Sequence, residues 1–385
     1  MSSTISLSLF AAPSASDHSA NLFAAARALA VQLARSRPLD RRLVAGVMTT
    51  AFGASDAEGV WSWRDAYDAI EAATVLQIRR LAPQVARLED APTEIATVLA
   101  AVSALGLTHT RRSEEQVALD QFSTPPQLAA LVALAARVQP GDRVLEPSAG
   151  TGLLAVVAEA CGGVMTLNEV AGRRADLLDC LFRSAVRTRH DGRHIHDLAE
   201  GAGAFDVVIA NPPFTNLADH LVGGLKALAD HGRLAAIVPL VALTEEALLR
   251  RLGRDGAVIG RIALPSRGFV KHGTSIETGL LIVDRTDAAG GLPPVIEGED
   301  PAAAIAATSH HQLASNRLDP GLARASRHQA ACSHRGRRPG LPQSARPQAR
   351  RARPPAGSVG RRGAPVLCSK AVARRRPRRR PVSGP

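Results

Sequence analysis

From residue 125 to 284, short apolar runs rich in β-branched residues alternate with helix-like stretches, and no other feature limits the fold more. The runs are 143–146, 163–168, 205–210, 233–239, 258–264 and 278–284, with helix-like stretches at 125–138, 152–160, 171–186, 218–229 and 243–252. A strand, a helix and a further strand in one sheet close a right-handed crossover, so the pattern predicts an α/β, doubly wound, mostly parallel Rossmann-like sheet. The last run, Gly279-Leu280-Leu281-Ile282-Val283-Asp284, can pair antiparallel beside its neighbour. With 45% hydrophobic but only 3% aromatic residues, the core has to rest on Ala, Val, Leu and Ile.

Upstream of the sheet the pattern is helical from Ser19 to Leu105, which predicts a small all-helical N-terminal domain over 19–112 after a disordered Ser/Ala-rich stretch, 1–18. Asn21-Leu22-Phe23 leads into Ala-rich turns, Pro38 can open a second helix, Ala66 to Ala82 form a third, and Pro92 suits the first position of a fourth. Trp61, Trp63 and Tyr67 read as core packing of these helices. The α/β domain is expected over 113–290, with a linker at 291–309.

The chain changes character near residue 310. Its net charge of +12 suggests nucleic acid. However, residues 310–385 carry 19 Lys/Arg against the single acid Asp319, while residues 1–309 hold 28 basic and 34 acidic residues, a net of −6. The basic charge therefore gives no support for DNA binding by the folded body. Ten of the 25 prolines and no aromatic residue lie in this tail, which predicts disorder, because it cannot bury enough apolar surface to offset its ordering entropy. It reads as a nucleic-acid-binding arm, as a solvated tail, or as the product of a frameshift in a GC-rich gene. No run reaches the ~18 unbroken apolar residues of a membrane helix. The four cysteines, Cys161, Cys180, Cys332 and Cys368, show neither zinc nor disulfide spacing. A cytoplasmic protein without metal or membrane contact is expected.

Three segments carry chemistry. Glu146-Pro147-Ser148-Ala149-Gly150-Thr151-Gly152 closes the first strand and opens an apolar helix, as a loop does where the backbone must approach a ligand at a helix N-terminus. By itself it also satisfies the looser dinucleotide fingerprint, Gly150-x-Gly152-x-x-Ala155 with Glu169 as the ribose partner. Asn211-Pro212-Pro213-Phe214 closes the run 205–210 and should face the same crevice, because ligands of doubly wound sheets bind at the carboxyl ends of strands. Its chemistry suits an exocyclic amine. The Asn211 side-chain oxygen and the Pro212 carbonyl can accept the amine's two hydrogens, the prolines stiffen these acceptors, and Phe214 offers a stacking face. Gln121-Phe122-Ser123-Thr124-Pro125-Pro126 precedes the helix before the first strand, with Thr124 suited to cap it and Pro125 to begin it.

Phe-x-Thr-Pro-Pro, Glu-Pro-x-x-Gly-x-Gly, an acid after the second strand and Asn-Pro-Pro-Phe, in this order over residues 120–285, resemble the gamma-class adenine-N6 DNA methyltransferases. The resemblance implies S-adenosylmethionine as cofactor and DNA as partner. It places Phe122, Thr124, Pro125, Glu146, Gly150 and Gly152 at the methionine and sulfonium end of the cofactor. Glu169 falls on the ribose hydroxyls and Asp197 on the cofactor's adenine amine, with Asp191, His194 and His196 close by. Asn211, Pro212 and Phe214 would form the target-base site. Asn-Pro-Pro-aromatic signatures also serve enzymes that act on protein glutamine or rRNA bases, and a non-catalytic cofactor- or DNA-docking module is a third reading. The segment Lys271 to Gly279 resembles a loop near the base pocket. More narrowly, the body is similar to the methyltransferase-like N-terminal portion of large bacterial proteins that continue into a strawberry-notch-type helicase. The gamma class carries a recognition domain after its catalytic one, where this chain has the Arg/Pro tail. Recognition is therefore expected from a helicase module or partner, or from the N-terminal helices, where Arg35, Arg37, Arg41 and Arg42 are candidate phosphate contacts.

Overall fold

The computed structural model describes residues 17–107, 123–198, 205–265, 276–286, 291–298 and 300–306. All of them fall in one unit, Met1–Gly336. The expected disorder of 310–385, the polar link at 108–121 and most of the 271–279 loop lie outside the described residues.

Five helices come first: α1 (Asp17–Ala34), α2 (Arg41–Phe52), α3 (Trp63–Arg80), α4 (Ala82–Val85) and α5 (Pro92–Ala104). Their ends follow capping chemistry. Asp40, two residues after Pro38, starts α2 by accepting from the Leu43 amide at 2.8 Å, and Gly53 at φ +76° closes it. Ser62 and Asp65 form a reciprocal capping box at the start of α3. Trp61 and Tyr67 are buried, and the partly exposed Trp63 lies under the Arg41 guanidinium at 3.8 Å.

The remaining elements alternate: α6 (Pro126–Ala136), β1 (Arg143–Glu146), α7 (Leu153–Ala160), β2 (Val164–Asn168), α8 (Gly172–Leu181), β3 (Val186–Thr188), α9 (Ile195–Leu198), β4 (Phe205–Ala210), α10 (Leu217–Ala227), β5 (Leu228–Pro239), α11 (Glu246–Leu252), β6 (Ala257–Ala263), β7 (Thr278–Asp284) and β8 (Val295–Ile296). The sheet order is β3-β2-β1-β4-β5-β7-β6-β8, with β7 antiparallel to both neighbours and every other pairing parallel. This is the doubly wound, mostly parallel architecture that the alternation predicts.

Two strands depart from the predicted pattern. β3 has three residues and begins at the end of the helix predicted over 171–186, too short to leave a periodic signal. β8 and the helical residues 301–306 come from the stretch read as a linker, where Ala302 and Ile305 are buried.

The central strands β1, β4, β5 and β7 are covered on both faces, as the middle of a doubly wound sheet requires. Along β4, Val207 and Ile209 join one buried cluster and Val208 and Ala210 the other, the two-residue period of an extended chain. The first cluster runs without a break from Leu22, Leu29 and Ile78 in the N-terminal helices through Leu131, Val156 and Val144 to Ile282. The N-terminal helices and one face of the sheet thus share a single core. Ile78→Ala, at a fully buried position of that core, is expected to cost about 2–5 kcal/mol. The helices and the sheet should then melt together in one shifted transition, read by calorimetry and circular dichroism.

Candidate active site

β2, β1 and β4 are neighbours in the sheet, so the segments leaving their carboxyl ends converge. They enclose a cavity of about 350 Å³ whose walls include Pro147, Gly150, Glu169, Asp191, Asn211 and His220. Beside it lies a space of about 20 Å³, lined by Thr124, Glu146 and Thr151 among others, with Ser148, Gly150, Arg174 and Asn211 common to both.

The glycine loop takes the conformation its residues permit. Gly150 and Gly152 have φ of +56° and +87°, and a Cβ on Gly152 would run into the Phe182 ring. Glu169, 3% exposed, holds this loop: its two oxygens accept from the Gly150 and Ala171 amides, each at 2.7 Å. Burial pushes its pKa up, against the pull of Arg174 and of these amides. Glu146 is buried as deeply. One carboxylate oxygen has no hydrogen-bond partner, and burial raises its pKa well above the ordinary carboxylate value. Asn168, which sequence reasoning passed over, closes the crest of the sheet. Its side chain donates to the carbonyls of Pro147 and His190 and accepts from the Thr188 hydroxyl and the His190 amide, all within 2.9 Å.

Two motifs 87 residues apart meet directly: the Asn211 amide nitrogen donates to the Thr124 hydroxyl at 3.0 Å. Thr124 therefore does not cap α6. Pro125 takes the cap position and Pro126 the first helical one. That bond uses one of the two N–H donors of the carboxamide, whose oxygen is an acceptor. After Asn211 the cavity wall takes Pro213 and, from the turn that follows, Thr215 and Asn216. Pro212, buried, and Phe214, half-buried, fall between them and do not line it. Pro125 is buried, and Phe122 lies outside the described residues.

Asp197 is not brought to the cavity. It stands on α9 with its side chain 68% exposed, next to His194 and His196. Asp191 lines the wall instead, because the chain turns into a short 3-10 helix at Gly192–His194 and carries later residues outward. Hydrogen bonds from Arg193 hold the Asp191 carboxyl down to about 2. His220 faces it from α10, its pKa lowered by burial and partly restored by Asp191. Arg174, 3% exposed, also reaches the site and was not singled out by sequence reasoning. Burial works against its charge, but Asp68, Glu71 and Glu169 around it push its pKa up. Among the described residues no group of three or more His, Cys, Asp or Glu could hold a metal ion, and no helix is long and apolar enough to cross a membrane.

No protein-family model and no curated protein sequence matches the chain. Solved structures do show a partial likeness. TrmN from Thermus thermophilus is 24% identical over 42% of this chain, with a TM-score of 0.35, and the match spans 49% of TrmN, about half its length. A SAM-dependent O-methyltransferase from Thermotoga maritima is 18% identical over 46% of this chain and 72% of its own, with a TM-score of 0.33. Geranyl diphosphate C-methyltransferase from Streptomyces coelicolor, solved with S-adenosyl-L-homocysteine, is 13% identical over 42% and 76%, with a TM-score of 0.35. These overlaps are partial, and the fold rests on the strand order itself.

Two outcomes follow from the site geometry. Gly152→Ala should destabilise the protein by about 1–3 kcal/mol, since a left-handed residue acquires a side chain that meets Phe182. Glu146 has a folded pKa above its unfolded one. Its charge therefore destabilises the empty protein at neutral pH, and that cost is relieved as pH falls through the folded pKa towards the unfolded value. Glu146→Gln is expected to raise the melting temperature at pH 7 by about 2–4 °C, with the gain shrinking as pH drops towards ~4.5. Melting curves of both proteins across that range check it.

Proposed function

We propose that the protein transfers a methyl group from S-adenosylmethionine to an exocyclic amino nitrogen, adenine N6 in DNA. The observation that carries this reading is the Asn211–Thr124 hydrogen bond, which joins the Asn-Pro-Pro-Phe turn to the Thr-Pro segment at the mouth of the glycine-loop cavity.

The donor set suits the cofactor. The unpartnered oxygen of Glu146 beside the smaller space is an acceptor for a cationic group of the methionine end. Glu169 lines the larger cavity where ribose hydroxyls would donate to it, and Asp191, in place of Asp197, is the acid available to an adenine amine. When bound, S-adenosylmethionine supplies a methyl group on a positively charged sulfur. The chain's own residues prepare the nucleophile. An aromatic amine is weak while its lone pair is delocalised into the ring. Asn211 Oδ1 and the Pro212 carbonyl accept its hydrogens and favour a tetrahedral nitrogen whose lone pair points outward. The bond to the Thr124 hydroxyl anchors the carboxamide through one N–H and so supports this use of its oxygen. Phe214, half-buried beside the turn, is the aromatic face available to a flat base. No covalent intermediate on the protein is required: the nitrogen would bond the methyl carbon as the carbon–sulfur bond breaks, with a neutral thioether as leaving group and one amine proton lost to solvent.

A second substrate reading is protein glutamine or an rRNA base, whose planar amide or amine poses the same problem; the excess of acid over base in residues 1–309, 34 against 28, suits the protein substrate, since RNA is a polyanion as DNA is. In the DNA reading, a helicase module or partner supplies the recognition that the acidic body does not. Full-length protein incubated with methyl-labelled S-adenosylmethionine and unmethylated DNA should place label in N6-methyladenine. Asn211→Ala should reduce the rate by about 10²-fold or more. Label in RNA or protein fractions and none in DNA would move the substrate to the second reading.

A further inference from the structure

Asp65, Asp68 and Glu71 lie three residues apart along one face of α3, and all three are at most 3% exposed. Each reaches out of the N-terminal helices into the α/β region. Asp65 accepts from His18 at 3.1 Å and from Arg173 at 3.2 Å, while Asp68 accepts from Nε and Nη2 of Arg174, both at 3.2 Å. Glu71 reaches furthest. One of its oxygens accepts from the Ser123 hydroxyl and the other from the Thr151 hydroxyl at 2.7 Å. Ser123 adjoins Thr124, the partner of Asn211, and Thr151 lies between the two glycines of the loop.

We propose that Glu71 is a positioning residue of the cofactor crevice, one carboxylate that holds the glycine loop and the Thr-Pro segment in register with each other. The proposal rests on the reading of the crevice as a cofactor site. Around Glu71 the helix buries Ala69, Ile70, Ala72, Ala73 and Val75, and a leucine there would serve packing better than a desolvated carboxylate. Bonds to two hydroxyls in two ligand-binding segments give that carboxylate a purpose, because groups that contact a ligand keep their geometry only when a layer behind them fixes it. The chemistry also distinguishes hydrogen bonding from charge. A glutamine can accept from one hydroxyl and donate to the other, since each hydroxyl serves both roles. A leucine leaves both hydroxyls without this partner.

The test is calorimetric titration of the full-length protein with S-adenosylhomocysteine, for wild type, Glu71→Gln, Glu71→Leu and Thr151→Val, with a melting curve for each. Glu71→Leu and Thr151→Val should each weaken binding by about tenfold, the effect of losing one buried hydrogen-bond partner, and Glu71→Gln should stay within about threefold of wild type. Unchanged affinity in a folded Glu71→Leu or Thr151→Val, even with a lowered melting temperature, overturns the proposal and leaves Glu71 a purely structural group. Loss of binding in Glu71→Gln as large as in Glu71→Leu overturns the hydrogen-bonding role in favour of charge. If Glu71→Leu does not fold, Thr151→Val and Glu71→Gln decide between these results. A wild type that binds neither S-adenosylhomocysteine nor S-adenosylmethionine refutes the cofactor reading itself, and this inference with it.

Discussion

A guanidinium buried to 3% exposure cannot be left uncompensated, and Arg174 is the charge around which the molecule is arranged. It rises from α8, immediately after the acid that closes β2, and lies beneath the glycine loop, 3.8 Å from where a Cβ of Gly150 would stand. One of its counter-charges, Asp68, comes from a helix more than a hundred residues upstream. The α/β sheet and the N-terminal helices therefore share more than apolar area. The ion pair between them sits directly behind the ligand crevice, where breaking it would expose an unpaired charge.

That arrangement concentrates acid. Asp68, Glu146 and Glu169 are all buried, and each has its pKa pushed up by burial. Asp68 is answered by Arg174, whereas Glu146 and Glu169 line the crevice, where burying their charge costs stability in the empty protein. Between the two ligands that the glycine loop alone allows, the Asn-Pro-Pro-Phe turn favours the sulfonium one.

Much of this was legible in the residue pattern, for identifiable reasons. Strands that are buried on both faces, β1, β4 and β7, read as apolar runs, and the β-branched residues of β2 and β6 mark those two as well, so all five stand where the runs predict them. The glycine loop and the Asn-Pro-Pro-Phe turn are short contiguous segments whose chemistry is local, and the sheet order brings them to one crevice. What could not be read was set by distance in the chain. β3 is three residues at an edge, Thr124 prefers a partner 87 residues away to capping its own helix, and the turn after β3 selects Asp191 over Asp197. Glu71 and Asp68 look from sequence like a solvated face on an alanine-rich helix. Only the docking of α3 on the glycine loop turns them inward.

The central claim is that one crevice, formed by the strand ends and backed by α3, binds S-adenosylmethionine. Hydrogen exchange of the full-length protein with and without S-adenosylmethionine tests it most directly. Slowed exchange in residues 146–152, 169–174 and 211–216, accompanied by slowed exchange in the 65–74 segment of α3 and little change at the opposite end of the sheet, is the predicted result. Protection confined to other regions, or none at saturating S-adenosylmethionine, would contradict the account.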